Sequence, residues 1–307
     1  MKTRKVKVGI VGLGSIAQKV YLPFLSKEKN WSLIGAYTPN EIKRMEICNS
    51  YRIKAFANLD SLIEECDVIF VHSSTVSHFE IISKVLKKGK DVYVDKPLAA
   101  NLNEAESLVE LSIKNNRKLM VGFNRRFAPM YVNAKENIKN IAWINLEKHR
   151  TNGINQVDFD VTILDDYIHL VDTARWLGEV KGSIQGNVKI NENNQLIYAH
   201  HRYETEKGYE IFIGMHRKAG TNLEQIKFVS EDAIVRVKNI DTMEIEKNGE
   251  IVTRISPAWD TVIKRKGFED CITHFIDSIE GDTEPVVNGT EALITQRIVH
   301  EMIKNAK

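Results

Sequence analysis

The most constraining stretch is Val6-Lys7-Val8-Gly9-Ile10-Val11-Gly12-Leu13-Gly14-Ser15-Ile16-Ala17, an apolar run that enters a Gly-x-Gly-x-x-Ala turn and opens a helix reaching about Leu25. Strand, glycine turn and helix in that order predict the first βα unit of a dinucleotide-binding sheet. Gly12 permits the tight turn, Gly14 lets the backbone approach a pyrophosphate, and Ala17 lets the helix pack closely on the strand. Ser15 and Ile16, first in the helix, offer N–H groups without intrahelical partners to the anion.

The βα rhythm continues to about residue 122. Short apolar runs at 6–11, 31–37, 54–56, 68–72, 91–94 and 119–121 alternate with helical patterns at 41–50, 61–65, 78–88 and 103–115. Six strands with crossover helices predict a doubly wound parallel sheet whose ligand site lies at the strands' carboxyl ends. Beyond Asn124 the pattern changes to longer alternating strands, such as Trp143-Ile144-Asn145-Leu146-Glu147-Lys148-His149, separated by turns such as Lys247-Asn248-Gly249-Glu250. This predicts a large, mainly antiparallel open sheet, with one helix at 160–177 and two closing helices at 268–279 and 291–305. The fold class is therefore α/β. A Rossmann domain occupies 1–122 and an α+β substrate domain 123–307, with the closing helices free to pack back on the first.

Lys and Arg number 43 against 41 Asp and Glu, so the formal charge of +2 creates no field for nucleic acid or an anionic membrane. Expected partners are a small-molecule substrate and further copies of the chain, joined through the second-domain sheet. Cys48, Cys66 and Cys271 lack metal-ligand or C-x-x-C spacing, which points to reduced thiols in a cytoplasm and to no metal site.

Three further stretches carry candidate chemistry. Val92-Tyr93-Val94-Asp95-Lys96-Pro97 ends the fifth strand, Val121-Gly122-Phe123-Asn124-Arg125-Arg126-Phe127 ends the sixth, and Asp165-Asp166-Tyr167-Ile168-His169-Leu170-Val171-Asp172 lies on the second-domain helix. At 100° per residue, Asp165, His169 and Asp172 share one helical face. A histidine accepts a hydroxyl proton near neutral pH, a carboxylate orients it, and a lysine polarises the same oxygen.

Together with the glycine turn, these motifs resemble the Gfo/Idh/MocA family of NAD(P)-dependent oxidoreductases. The resemblance implies that Lys96, Asp165 and His169 are catalytic, and that Ser73, Ser74, His78, Asp95 and Asn124 lie along the cofactor. It implies hydride transfer to or from a secondary alcohol or carbonyl of a sugar, polyol or related compound. Imine or enone reduction, and a non-catalytic NADP(H)-binding sensor, stay open beside it. The chain departs from the family in three places: Asp95 stands for the usual glutamate, Tyr167 for a usual small glycine, and Ser73-Ser74-Thr75 for the frequent Thr-Pro-Asn after the fourth strand.

The second strand ends at Tyr37-Thr38-Pro39-Asn40, without the acid that accepts from an NAD ribose, and Lys43 and Arg44 follow. NADP(H) is therefore favoured over NAD(H), with Thr38 and Arg44 on the 2′-phosphate. Two basic strand ends, Lys148-His149-Arg150 and His216-Arg217-Lys218, suit an anionic substrate group. Arg125, His149, Arg150, Tyr167 and Arg217 are the candidate substrate contacts.

Overall fold

The computed structural model describes residues 4–306. The chain forms two compact units, one of residues up to Gly122 with Cys271–Ile294, the other of Phe123–Asp270 with Thr295 onward.

In the first unit, β1 (Val6–Val11), β2 (Trp31–Tyr37), β3 (Lys54–Ala55), β4 (Val68–Val71), β5 (Asp91–Val94) and β6 (Leu119–Val121) form a parallel sheet in the order β3-β2-β1-β4-β5-β6. β4 is buried along its whole length, which is why it reads Val-Ile-Phe-Val with no alternation. The order reverses between β1 and β4, leaving a crevice at their carboxyl ends. Helices α1 (15–25), α2 (Glu41–Tyr51), α3 (Leu59–Glu65), α4 (His78–Lys87) and α5 (Leu102–Lys114) join the strands. Asn40, Asn58 and Asn101 each cap a helix by accepting a backbone N–H three residues on, which sets where α2, α3 and α5 begin. α1 contains a π turn at Ala17–Tyr21, closed by Leu22 N–H donating to the Ala17 carbonyl. Tyr21 is thereby carried wholly into the core.

The segment 271–294 completes this unit. Val121 N–H donates to the Val287 carbonyl at 3.1 Å, and the Phe275 ring lies 6.0 Å from Phe70 and 5.6 Å from Tyr93.

The second unit is built on eight strands: β7 (Ile141–His149), β8 (Val180–Ile190), β9 (Leu196–Thr205), β10 (Glu210–His216), β11 (Leu223–Ser230), β12 (Ile234–Lys238), β13 (Thr242–Lys247) and β14 (Glu250–Ile255). Their order is β14-β13-β12-β11-β7-β10-β9-β8, antiparallel throughout except for β7 beside β10. One face carries Ile144, Leu146, Ile211, Ile213, Met215, Ile226 and Phe228, all buried. Helix α6 (Pro129–Asn137), which the apolar pattern did not reveal, contributes buried Tyr131 and Ala134. Helix α7 (159–177) is almost entirely buried beyond residue 167. The closing helices are α8 (Phe268–Glu280) and α9 (Gly289–Asn305).

α7 carries the second π turn, Ile163–Tyr167, in which Ile168 N–H donates to the Ile163 carbonyl. An i to i+5 turn inserts one residue, so side chains on its two sides lose the 100° step. Across this turn burial changes: Asp165 is exposed, whereas His169 and Asp172 are 8% and 1% exposed.

Candidate active site

The first unit supplies a dinucleotide cradle. Gly12 has φ +90°, and a Cβ there would stand 2.5 Å from Ser73 N and 2.6 Å from His72 C, so its glycine is required by the protein's own backbone. Gly14 differs, because a Cβ there would meet nothing nearer than the His72 carbonyl oxygen at 4.0 Å. The space beside Gly14 is open, next to the N-terminus of α1, as a bound pyrophosphate requires. These residues fit a dinucleotide.

At the end of β2, the Arg44 Nη1 donates to the Thr38 carbonyl at 2.8 Å, and the guanidinium lies 5.9 Å from the Tyr37 ring centre. Arg44 is 7% exposed, and its Nε has no hydrogen-bond partner among the described residues. A guanidinium held by a carbonyl keeps its full positive charge at the site where the fold places the adenosine ribose.

The turns after β4 and β5 are tied to each other. The His78 Nδ1 lies 2.9 Å from the Pro97 carbonyl and its Nε2 3.3 Å from the Ser73 carbonyl. The Ser77 hydroxyl donates to the Ser74 carbonyl at 2.7 Å and lies 2.8 Å from the Ser73 Oγ. Burial pushes His78 below the ordinary histidine value, against the pull of the carbonyls. The ring is thus a tie between loops that fixes the Lys96–Pro97 turn, a cis peptide. Lys96 is half-buried.

The second unit supplies a buried charge cluster. Gly267, at φ +78°, leaves a Cβ no room against the Asn124 carbonyl oxygen at 2.3 Å. Asn124 Nδ2 donates to the Lys266 carbonyl at 2.7 Å, and its Oδ1 accepts from Arg125 Nη1 at 3.1 Å. Arg125 makes a two-point pair with Glu224 at 3.0 and 3.2 Å, and its Nη1 lies 3.3 and 3.4 Å from the two ring nitrogens of His169.

Asp166 accepts from both Lys148 Nζ and Arg217 Nη1, and Arg217 Nε donates to the Gly153 carbonyl at 2.7 Å. Burial opposes the charge of Asp166, but Lys148 and Arg217 hold the carboxyl well below the usual range. Burial and the nearby Arg125 bring Lys148 down to about 8. Arg125, Lys148 and Arg217 against Asp166 and Glu224 leave one surplus positive charge.

Glu224 was missed by sequence reasoning, and Lys148 was read only as part of a basic strand end, although the signal for its burial was present. Ile144, Leu146 and Lys148 alternate in phase on the buried face of β7, which puts His149 on the opposite face. There His149 Nδ1 accepts from His216 N–H at 3.2 Å, and Arg150 Nη1 donates to the His149 carbonyl at 3.2 Å. The two basic strand ends converge through Lys148 and Arg217, which share Asp166, while His149 lies across the sheet from that cluster.

Tyr167 corrects an expectation. It is wholly buried, with its hydroxyl 3.0 Å from His201 Nδ1 and 3.2 Å from the Ile213 carbonyl, so its phenol is committed to the sheet and unavailable to a substrate. Asp172 is structural, pairing with Arg126 at 2.7 and 2.9 Å and accepting from the Thr295 hydroxyl at 3.1 Å. Among the described residues no three His, Cys, Asp or Glu are placed to hold a metal, and no helix is long and apolar enough to cross a membrane.

The Glu224 carboxyl is lowered from 4.5 to about 2: burial opposes its charge, and Arg125 and then Lys148 overcome that. A depressed carboxyl contributes stability that is present above about pH 4.5 and lost as the pH falls through about 2. This is worth about 3 kcal/mol at neutral pH. Acid unfolding followed by circular dichroism should show that loss, and Glu224→Gln should flatten the slope between those pH values. An unchanged slope would exclude Glu224 as its source.

A 3-2-1-4-5-6 parallel sheet with an open Gly-x-Gly-x-x-Ala turn, joined in one chain to a second unit with a buried histidine and cation cluster, defines a two-unit dinucleotide-dependent oxidoreductase. The chain belongs to the Gfo/Idh/MocA family. Residues 6–123 match its oxidoreductase family, with the NAD-binding Rossmann fold, and residues 129–248 match the YceM-like C-terminal domain. YceM of Salmonella typhimurium is 40% identical over 305 residues, covering 99% of each chain. The crystal structure of a dehydrogenase (MviM) from Clostridium difficile is 46% identical, covers 98% of this chain and 99% of that one, and superposes with a TM-score of 0.95. An inositol 2-dehydrogenase/D-chiro-inositol 3-dehydrogenase of Halalkalibacterium halodurans is 23% identical, covering 91% of this chain and 85% of that protein.

Proposed function

We propose that the protein transfers hydride between NADP(H) and the secondary alcohol or carbonyl of a sugar, polyol or related small molecule that carries an anionic group. The observation that carries this reading is His169: a buried imidazole 3.3 Å from Arg125 Nη1, at the position the family resemblance gives to proton transfer. When bound, the nicotinamide supplies hydride acceptance or donation at C4. His169 takes the hydroxyl proton, Lys96 polarises the same oxygen, and Asp165 steadies the pair. The surplus positive charge of the Arg125, Lys148 and Arg217 cluster favours an anionic substrate over a neutral one. Screening the NADP-loaded protein against sugars, polyols and their acids and phosphates, with nicotinamide absorbance as readout, tests the reaction. Tight NADPH binding with no turnover on any alcohol or carbonyl would shift the reading to imine or enone reduction.

The NADP preference rests on Arg44, which pairs with no carboxylate among the described residues, and on Thr38 in place of an acid. Arg44→Ala should weaken NADPH binding by about 1.5–3 kcal/mol, the worth of a charge-assisted hydrogen bond, and NADH binding far less. Calorimetry that finds NADH bound as tightly as NADPH by the unmodified protein would reject the preference.

A further inference from the structure

A chain of buried polar groups runs through the first unit to the residue before Lys96. The Cys271 Sγ of α8 lies 3.3 Å from the Tyr93 hydroxyl of β5. That hydroxyl lies 3.3 Å from the Tyr21 hydroxyl of α1, which donates to Asp95 Oδ1 at 3.5 Å. Tyr21, Tyr93 and Cys271 are fully buried. The Tyr21 ring is clamped from one side by His72, stacked at 3.6 Å and 21°, whose two ring nitrogens have no partner among the described residues. Burial raises both phenols well above their ordinary value, with Asp95 adding to the rise for Tyr21 and Cys271 for Tyr93, so both are neutral and each has one proton to give.

One direction of donation is consistent with these three bonds. A carboxylate only accepts, so Tyr21 donates to Asp95 and its oxygen accepts from Tyr93. Tyr93 has then spent its proton, and it accepts from the Cys271 thiol. Every link points toward Asp95. In a low-dielectric core such aligned bonds reinforce one another.

We propose that Tyr21, backed by Tyr93 and Cys271, is a positioning residue that orients the Asp95 carboxylate and through it the Lys96 ammonium. The inference rests on the reading of Lys96 as a proton-handling residue. It gives the π turn of α1 a purpose, since that turn carries Tyr21 into the core beside β5. Asp95 thus takes its geometry from side chains on two helices and a strand, as well as from its own place at the end of β5.

Two measurements on the whole cofactor-free protein test this. The first is the infrared S–H stretch of Cys271, identified by its loss in Cys271→Ser. It should lie at the hydrogen-bonded frequency and move to the free frequency in Tyr93→Phe. A free thiol in the unmodified protein would overturn the direction assigned to the chain. The second is the pH profile of Lys96 acylation, read by quantitative mass spectrometry. Tyr21→Phe keeps the ring on His72 and should change the Lys96 rate at fixed pH by about three-fold or more, a half-unit displacement of the profile. In an Asp95→Asn background the same substitution should add nothing, because the carboxylate through which it acts is gone. A Tyr21→Phe protein with an altered melting temperature but an unchanged Lys96 profile would reduce Tyr21 to packing and overturn the proposal. Neither measurement needs a substrate, so failure of the metabolite screen and failure here are separate results.

Discussion

His169→Ala is expected to lower kcat for hydride transfer by roughly 10²–10⁴-fold, the usual worth of general acid–base help, while NADPH affinity stays within about two-fold. The two effects separate because His169 belongs to the second unit and the dinucleotide cradle to the first. Lys96→Ala should produce a loss of the same order. Combining the two should cost far less than the product of the single losses, since residues that act as a unit are not additive. Full turnover in His169→Ala would move proton transfer elsewhere. Tyr167 is not the substitute, because its hydroxyl is engaged by His201 and the Ile213 carbonyl inside the sheet. Lys96 would then be the sole candidate among the three residues proposed.

Asp172→Ala is expected to destabilise the folded protein by about 3–5 kcal/mol, read as a lower midpoint of urea unfolding. The side chains of Arg126 and Asp172 are 7% and 1% exposed, so removing the carboxylate takes a two-point partner from a guanidinium in a dry core. The Thr295 hydroxyl, which also donates to Asp172 and accepts from Arg175 at 2.8 Å, loses its acceptor at the same time. Replacing both partners with apolar residues of similar volume, as in Arg126→Met with Asp172→Leu, should recover much of the loss, because no unpaired charge is left behind. A cost below about 1 kcal/mol for Asp172→Ala would mean that solvent reaches the guanidinium and that the pair is not structural.

The glycine turn and the six short apolar runs of the first half were readable because their information is local. Each strand is short and apolar, each crossover is a helix, and three asparagine caps mark the helix starts. The positions of Gly12, Gly14, Arg44, His78 and Lys96 at the carboxyl ends of β1, β2, β4 and β5 follow from that local pattern. The family's motif positions were equally legible, since residue type and spacing define them.

What the sequence could not determine is where neighbouring side chains point and what they meet. Two π turns shift helical phase by one residue through a hydrogen-bond choice that no residue pattern marks, and they decide that Asp166 enters the charge cluster and that Tyr21 enters the core. Glu224 pairs with Arg125 from 99 residues away, and β11 sets it opposite Lys148 of β7. Cys271 reaches Tyr93 from 178 residues away because segment 271–294 completes the first unit. The sequence determined which chemical groups the chain owns and which strand ends present them. Tertiary structure alone decided which charges face one another in a low-dielectric interior, and the properties of a buried ionisable group are set by those neighbours more than by its own type.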